Sequence, residues 1–199
     1  DIENITVYNN KINSKEDFEF EVAIILDIGE WDRMGEVASL IDPQKHLIIN
    51  IDHHESNDGF GQVVLVDSHQ CSTAILIYDI FSYLNYKICP SVATQLYTGI
   101  LTDTGGFRFN NTSSRVFRVC AHLVEAGADP SFIMNKIYYE KSVLSVRILE
   151  NILQTLELHY HNRIALVVLN KEIMKKIGTT YSSEEIITVS YTHLTLPTN

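Results

Sequence analysis

Two short apolar runs, each ended by an aspartate, constrain this chain more than any other feature of its sequence. One covers Val22–Leu26 and precedes Asp27, and the other covers His46–Ile51 and precedes Asp52. Both are rich in β-branched residues, do not alternate between apolar and polar residues, and are too short for a buried helix. We therefore predict two strands of a parallel sheet that are buried on both faces, as is typical of α/β folds.

Further strands and helices alternate along the rest of the chain. Strands are expected at Val63–Val66 and Ile164–Leu169. Helices are predicted over about 31–40, from Ser72 or Thr73 to Tyr83, over 90–101, from Ser113 or Ser114 to a stop at Gly127, from Asp129-Pro130, over 142–158 and over 171–177. Together these elements predict an α/β chain with a parallel, Rossmann-like sheet.

Four parts are expected in chain order. They are an α/β domain that is incomplete at its N-terminus (1–141), a connector helix (142–159), the start of a smaller α/β domain (160–189) and a non-native tail (190–199). The tail carries no charge and follows no helix or strand period, and the chain begins without Met, so we expect a fragment of a longer protein.

Composition limits the classes of partner. The chain has 25 acidic and 15 basic residues and a net charge of -10, which disfavours non-specific binding to a long duplex nucleic acid. No apolar run is long enough for a membrane span and no signal peptide is visible, so we expect a cytoplasmic protein without a membrane partner. The cysteines Cys71, Cys89 and Cys120 lack CxxC spacing and are expected to be reduced core residues.

Chemically active side chains follow the two buried strands. Asp27 and the triplet Asp52-His53-His54 lie where ligands bind in parallel sheets, beyond the carboxyl ends of the strands. Carboxylate and imidazole groups that converge there can bind a divalent cation. A lone aspartate after a strand is more often a turn residue, and a lone His-His pair more often part of a polar loop, but their joint position favours a metal site.

A third element ends in an acidic, glycine-bearing stretch. An apolar helix leads into Asp103, followed by Thr104, Gly105 and Gly106. The glycines would let backbone N–H groups approach a phosphate closely. Nearby Arg108 is a candidate phosphate-binding residue, with a surface ion pair as the alternative.

The ordered set of motifs resembles the DHH phosphoesterases. The resemblance covers roughly residues 4–185 and is closest to the branch of short-oligoribonucleotide hydrolases that also dephosphorylate adenosine 3′,5′-bisphosphate. The matching segments are the strand with Asp27, the triplet 52–54, the loop residues Asn57, Phe60 and Gly61, the helix start Ser72-Thr73, the stretch 99–112 and the Gly-Ala-Asp turn at 127–129.

The resemblance implies a role for each matched residue. Asp27 would bridge two Mn²⁺ ions, and His53 and Asp103 would complete one of the two sites. His54 would lie close to the scissile phosphate, and Asp52 would orient the histidine ligands. Mg²⁺ or Co²⁺ would also suit these oxygen and nitrogen ligands.

Two departures from the family pattern bear on activity. No segment matches the initial His-x-x-x-Asp-x-Asp motif, and the glycine- and histidine-containing segment that ends the C-terminal domain is absent. We therefore expect the chain as given to be inactive, although the complete protein is an enzyme.

The leading hypothesis is a two-metal phosphodiesterase or phosphatase for short oligonucleotides or small nucleotides. Within the family the alternatives are a RecJ-like exonuclease, a cyclic-dinucleotide phosphodiesterase and a manganese pyrophosphatase, and outside it a non-catalytic nucleotide-binding module. A homodimer is left open. A dinucleotide-binding Rossmann protein is disfavoured because no GxGxxG follows a strand.

Overall fold

The structure is a computed structural model that describes residues 19–140, 146–147, 150–151, 154–161 and 163–168. The strands are β1 (Val22–Leu26), β2 (Leu47–Asp52), β3 (Val63–Val66), β4 (Glu157–His159) and β5 (Ile164–Leu166). The α-helices are α1 (Thr73–Tyr83), α2 (Pro90–Asp103), α3 (Ser114–Glu125) and α4 (Pro130–Met134). A 3₁₀ segment covers Trp31–Leu40 and a π-helical turn covers Asn135–Tyr139.

Strands β1, β2 and β3 form a parallel sheet with β2 in the centre. Ile24 pairs with Ile49, and Ile51 with Leu65. This register brings the carboxyl ends of β1 and β2 side by side, since Leu26 pairs with Ile51. The predicted α/β class with a parallel sheet is confirmed, and the sheet edge that carries Asp27 and Asp52 is formed by neighbouring strands.

Burial of the sheet differs from the prediction. On one face Ala23, Ile25 and Ile48 are buried and belong to a cluster with Met34 and Ile41. The other face of β1 is exposed, with Ile24 58% accessible, and all four residues of β3 are exposed. The prediction of burial on both faces is wrong for β1, because α1, α2 and α3 pack mainly on one another and the sheet contact of this layer is that of α1 with β2.

Helices α1, α2 and α3 form a layer held by apolar side chains. Ile75, Ile100, Leu101, Val116 and Leu123 are among its buried residues. Their burial fixes the C-terminal end of α2, where Asp103 lies.

These helices begin and end near the residues that the sequence predicts, but the expected side-chain capping hydrogen bonds are not formed. Pro90 starts α2 as predicted, and Gly127 follows α3 with a φ of 109° that favours glycine. Ser72 and Ser113 precede α1 and α3, but neither side chain makes a capping hydrogen bond. The serines therefore mark where the helices begin without bonding to their free N–H groups.

The predicted helix at 31–40 is a 3₁₀ segment interrupted at Gly35. This glycine has a φ of 57° and a ψ of -134°, which lies outside helical geometry. A residue without Cβ adopts that conformation without steric cost, so the turn at Gly35 breaks the helix.

The chain divides into two compact units, 1–133 and 134–199. In the second unit β4 and β5 form an antiparallel pair, with Glu157 opposite Leu166. Residues 146–147 and 150–151 are helical, but the predicted helix does not reach Leu158, because Glu157–His159 is a strand. The domain boundaries at 141 and 159 stay predictions.

Several other expectations fall outside the described residues. They concern the incomplete N-terminus, the helix at 171–177 and the tail 190–199. The strand predicted over Ile164–Leu169 is shorter in the structure, because β5 ends at Leu166 and the next two residues are not in a strand.

The three cysteines are free thiols. Cys71 and Cys120 are buried as predicted, whereas Cys89 is exposed, because it lies in the turn directly before α2. In the described part of the chain, no helix combines the length and the apolar character that crossing a membrane requires.

Candidate metal centre

Asp27 leaves β1 in the left-handed region, with a φ of 61°. Aspartate tolerates this region better than most residues, and the conformation ends the strand. The Asp27 N–H donates to the Ile51 carbonyl at 3.0 Å, and the Thr73 hydroxyl donates to Asp27 Oδ1 at 2.8 Å. The carboxylate is thus held from α1 while its side chain stays 52% exposed.

His53 brings Asp27 and Asp103 to a common centre. His53 Nε2 lies 3.6 Å from Asp27 Oδ1 and 3.6 Å from Asp103 Oδ2. These distances are too long for hydrogen bonds. They are close to the separation of about 3.0–3.5 Å expected between neighbouring ligands that each lie about 2.1 Å from a cation. Each of the two predicted carboxylate ligands therefore lies at a distance from His53 that suits a shared cation.

Asp52 is completely buried and has a different environment. Its Oδ1 accepts the backbone N–H groups of His53 and His54 at 2.7 and 3.2 Å, and lies 2.7 Å from His54 Nδ1. Its Oδ2 accepts from Asn57 Nδ2 at 2.7 Å. Ligand atoms of Asp27, Asp52, His53 and His54 lie within 4.8 Å of one another, but both oxygens of Asp52 are already engaged. This geometry supports orientation of His54, rather than metal ligation, by Asp52.

The pKa values of Asp52 and Asp103 are shifted in opposite directions. Burial by itself would raise the pKa of Asp52, but hydrogen bonds from Asn57, His54 and the backbone outweigh it and lower that pKa below 3.8. Burial, and then the charge of Asp27, raise the pKa of Asp103 above 3.8, against smaller opposing effects of His53 and His54. A divalent cation between Asp27 and Asp103 would relieve this repulsion, so the donor set fits a metal ion.

Two amides complete the support beneath the triplet. Asn57 Nδ2 also donates to Asn50 Oδ1 at 2.9 Å, and Asn50 Nδ2 donates to the Ile28 carbonyl at 3.0 Å. Sequence analysis missed Asn50, although a lone amide inside an apolar strand run was a signal for a buried polar network. Asn57 had been noted only through the family resemblance.

The turn after α2 is built from three consecutive left-handed residues. Gly105, Gly106 and Phe107 have φ values of 58°, 69° and 65°. The Gly105 N–H donates to the Thr102 carbonyl and the Gly106 N–H to the Leu101 carbonyl, at 2.9 and 2.8 Å. Both N–H groups thus donate to carbonyls at the end of the helix. In this conformation they are not available for the predicted hydrogen bonds to a phosphate.

Arg108 is held at this turn by one of its donors. Its Nε donates to the Gly105 carbonyl at 2.8 Å. Among the described residues, none of the ion pairs involves Arg108, so the surface ion pair expected as its alternative is not formed there.

The aromatic residues of the turn divide into two environments. Phe107 packs against Tyr97 and Phe117, with ring centroids 6.1 and 5.4 Å away. The ring of Phe109 covers Gly105, where an added Cβ would lie 2.4 Å from it, and 45% of Phe109 is exposed. Gly105 is therefore required for the close approach of this ring.

Comparison with known proteins identifies relatives, although no family model matches the chain. It is 35% identical to the bifunctional oligoribonuclease and PAP phosphatase NrnA of Thermus thermophilus, over 69% of this chain and 40% of that protein. Proteins described in the same terms from Bacillus subtilis and, as probable, from Streptococcus mutans are 28% and 29% identical, over 84% and 89% of this chain and 53% and 56% of the relatives. The chain thus spans about half the length of these curated relatives.

A solved structure has the same fold. It is the crystal structure of an exopolyphosphatase-related protein from Bacteroides fragilis, with a TM-score of 0.77 and 25% sequence identity. The match covers 87% of this chain and 51% of that protein. Sequence similarity and shared fold together confirm that the chain is a homologue of the DHH phosphoesterases, in the branch of the oligoribonuclease and PAP phosphatase proteins.

Proposed function

We propose that the complete protein is a divalent-metal-dependent phosphoesterase that hydrolyses short oligoribonucleotides or small nucleotides. The observation that carries this proposal is the position of His53 Nε2, which lies 3.6 Å from a carboxylate oxygen of Asp27 and 3.6 Å from one of Asp103. The names of the homologues, oligoribonuclease and PAP phosphatase, support the same substrate class.

The ligands favour a hard or borderline cation. Carboxylate oxygens and an imidazole nitrogen without thiolate suit Mn²⁺, Mg²⁺ or Co²⁺, and we propose Mn²⁺. In the two-ion arrangement Asp27 would be shared, because Asp27 is the more exposed of the two carboxylates and lies between His53 and His54. When bound, such ions lower the pKa of a water molecule and neutralise phosphate oxygens.

His54 and Arg108 are the proposed contacts to substrate. Asp52 accepts from His54 Nδ1 and thereby holds the ring in one tautomer, with Nε2 unprotonated in the neutral ring. Arg108 uses Nε for the Gly105 carbonyl, which leaves the two terminal nitrogens of its guanidinium to bind a phosphate. Gly105 contributes the carbonyl that orients Arg108, and Gly106 ends the helix so that the turn projects beside Asp103.

Net charge limits the substrate to small anions that the metal site itself attracts. With a net charge of -10, the chain gains no general attraction for a long polyanion, so binding must depend on the metal ions and a few local donors. We accordingly propose a short single-stranded substrate and a cytoplasmic location, and we leave dimerisation open.

Hydrolysis by the complete gene product tests this proposal. The protein is freed of metal with EDTA, and release of mononucleotide from a diribonucleotide and of phosphate from adenosine 3′,5′-bisphosphate is measured with and without Mn²⁺. Turnover that depends on Mn²⁺ and is absent on a long RNA duplex is the expected result. Tight binding of either substrate without turnover would contradict the proposal and favour the non-catalytic nucleotide-binding module.

A further inference from the structure

The geometry points to Arg115 as a positioning residue for His53, which it orients by clamping Gln70, the residue whose backbone carbonyl faces the His53 ring. The inference rests on the proposed function, since it treats His53 as a metal ligand. Arg115 lies on α3, and no motif of the sequence singled it out.

The orientation of His53 depends on one backbone oxygen. His53 Nδ1 lies 3.3 Å from the Gln70 carbonyl, which can only accept a hydrogen bond. In the neutral ring Nδ1 must therefore carry the proton, and Nε2, which faces Asp27 and Asp103, keeps its lone pair. A histidine that binds a metal through Nε2 requires this tautomer. The group that accepts a hydrogen bond from Nδ1 fixes the tautomer.

Gln70 is clamped from two sides. Its side-chain Nε2 donates to Asp67 Oδ2 at 2.8 Å, and its backbone N–H donates to the Asp67 carbonyl at 3.2 Å. On the other side, Arg115 Nη1 donates to Gln70 Oε1. With both ends of the amide bonded, the Gln70 side chain cannot rotate freely, and the loop that carries its carbonyl is held beside His53.

Arg115 itself is anchored to a second helix. Its Nη2 bonds both oxygens of Asp79 on α1, at 2.5 and 2.7 Å. The planar guanidinium presents several donors at fixed angles, so one residue can hold Asp79 and Gln70 together. The pair is about 40% exposed, with side-chain values of 39% and 41%, and exposed pairs of this kind contribute little to stability. Its consequence is therefore expected in the orientation of His53 more than in the free energy of unfolding.

Ring nitrogen NMR of the metal-free chain tests the inference without any reaction. The nitrogen shifts of His53 are measured at pH 8 in the wild type, in Arg115→Ala and in Arg118→Ala. Arg118 is the matched control, since it lies on the same helix and, within the part of the chain that the structure describes, its side chain bonds to Ser114 at 3.4 Å and not to Gln70 or Asp79. We expect the Nδ1–H tautomer in the wild type and the control, and a severalfold larger Nε2–H fraction in Arg115→Ala. Identical tautomer populations in the three proteins would overturn the inference.

Calorimetric titration with Mn²⁺ supplies the second measurement. Arg115→Ala in the complete gene product should weaken Mn²⁺ binding about tenfold, as is typical when support for a metal ligand is lost. Arg115→Lys guards against a folding defect, because it keeps the positive charge beside Asp79 but not the fork that reaches Gln70. We expect it to retain the wild-type Tm and to bind Mn²⁺ more weakly, and wild-type affinity in both variants would overturn the inference.

The two proposals fail separately. A wild-type protein that binds Mn²⁺ but hydrolyses no phosphoester would overturn the proposed function, while the tautomer of His53 would still decide the role of Arg115. Active wild-type enzyme with unchanged His53 shifts in Arg115→Ala would overturn only the positioning role.

Discussion

The carboxylates at the end of β2 and those at the ends of β1 and α2 have opposite surroundings. Asp52 is fully buried, and both of its oxygens accept hydrogen bonds from the protein. Asp27 and Asp103 are partly exposed and face one another across His53 Nε2. The difference teaches that neighbouring acidic residues of one site can have different surroundings: Asp52 is saturated with hydrogen bonds from its own loop, whereas Asp27 and Asp103 keep exposed oxygens, which we propose bind a cation.

The largest effect is expected from removing the negative charge of Asp27, which we propose binds the metal ions. Asp27→Asn should lower turnover of the complete gene product by about a thousandfold or more, because metal ions contribute several kcal/mol of charge stabilisation and each 1.36 kcal/mol is a factor of ten. Circular dichroism should remain unchanged, since Asp27 is half-exposed. Asp58→Asn, in the exposed loop after the triplet, is the control, and equal turnover of the two variants would remove Asp27 from the metal centre.

Asp52→Asn should act on stability instead. The amide cannot accept on both sides, so one of the donors around Asp52 loses its acceptor in a buried position. We expect the free energy of unfolding to fall by about 1.5–3 kcal/mol, the range for hydrogen bonds to charged groups. Urea unfolding measures this, with Asp42→Asn as an exposed control. A stability loss no greater than that of Asp42→Asn would show that Asp52 does not organise the loop.

Loss of the hydroxyl that holds Asp27 should have an intermediate effect. Thr73→Val removes the 2.8 Å hydrogen bond to Asp27 Oδ1 while keeping the β-branched shape. Mn²⁺ affinity should fall about tenfold, because the ligand is no longer oriented. Thr98→Val is the matched control, since its hydroxyl donates to the Thr94 carbonyl within α2 at 2.8 Å. Calorimetry that finds the same affinity in both variants would show that Asp27 needs no support from α1.

The smallest effect is the pH dependence of the free energy of unfolding, to which Asp52 and Asp103 contribute with opposite signs. The lowered pKa of Asp52 stabilises the fold above pH 3.8, and this contribution is lost as pH falls through the folded-state pKa, which lies below 3.8. The raised pKa of Asp103 means that its ionised form opposes folding of the metal-free chain at neutral pH. This cost is lost as the pH falls through the folded-state pKa of Asp103, which lies above 3.8.

Asp103→Asn should therefore stabilise the metal-free chain at pH 7, by less than about 1 kcal/mol, since the carboxylate is partly exposed. The gain should shrink as pH falls through the raised pKa of Asp103. Urea unfolding between pH 3 and pH 7 measures both variants. A destabilised Asp103→Asn at pH 7 would contradict the assignment of Asp103 as an unsupported ligand.

Much of the fold could be predicted because its signals are local. Apolar runs and the residues that end them placed β1, β2 and β3, and Pro90 placed the start of α2. The break at Gly35 and the strand at Glu157–His159 were not predicted, because a single left-handed glycine and a short exposed strand leave little trace in periodicity.

In the site, likewise, residues marked by a local sequence pattern could be predicted, and residues defined by distant contacts could not. Asp27, the triplet and Asp103 could be named because each directly follows a strand or ends a helix. Gln70 and Arg115 could not, because the partners that give them a role are far away in sequence, as Arg115 is from Asp79 and Gln70. Hydrogen bonds between distant residues depend on how helices pack, which no local pattern records.

The sequence by itself determined that carboxylates and imidazoles would meet at one edge of a parallel sheet, since strand ends and helix ends are encoded locally. Only the tertiary structure decided which of them are free. Packing buried Asp52 under the donors of His53, His54 and Asn57, whereas it brought one oxygen of Asp27 and one of Asp103 to 3.6 Å from His53 Nε2. The same residue type therefore accepts hydrogen bonds within the fold at one position and keeps exposed oxygens at another, because burial and available donors, not residue identity, set the surroundings of a carboxylate.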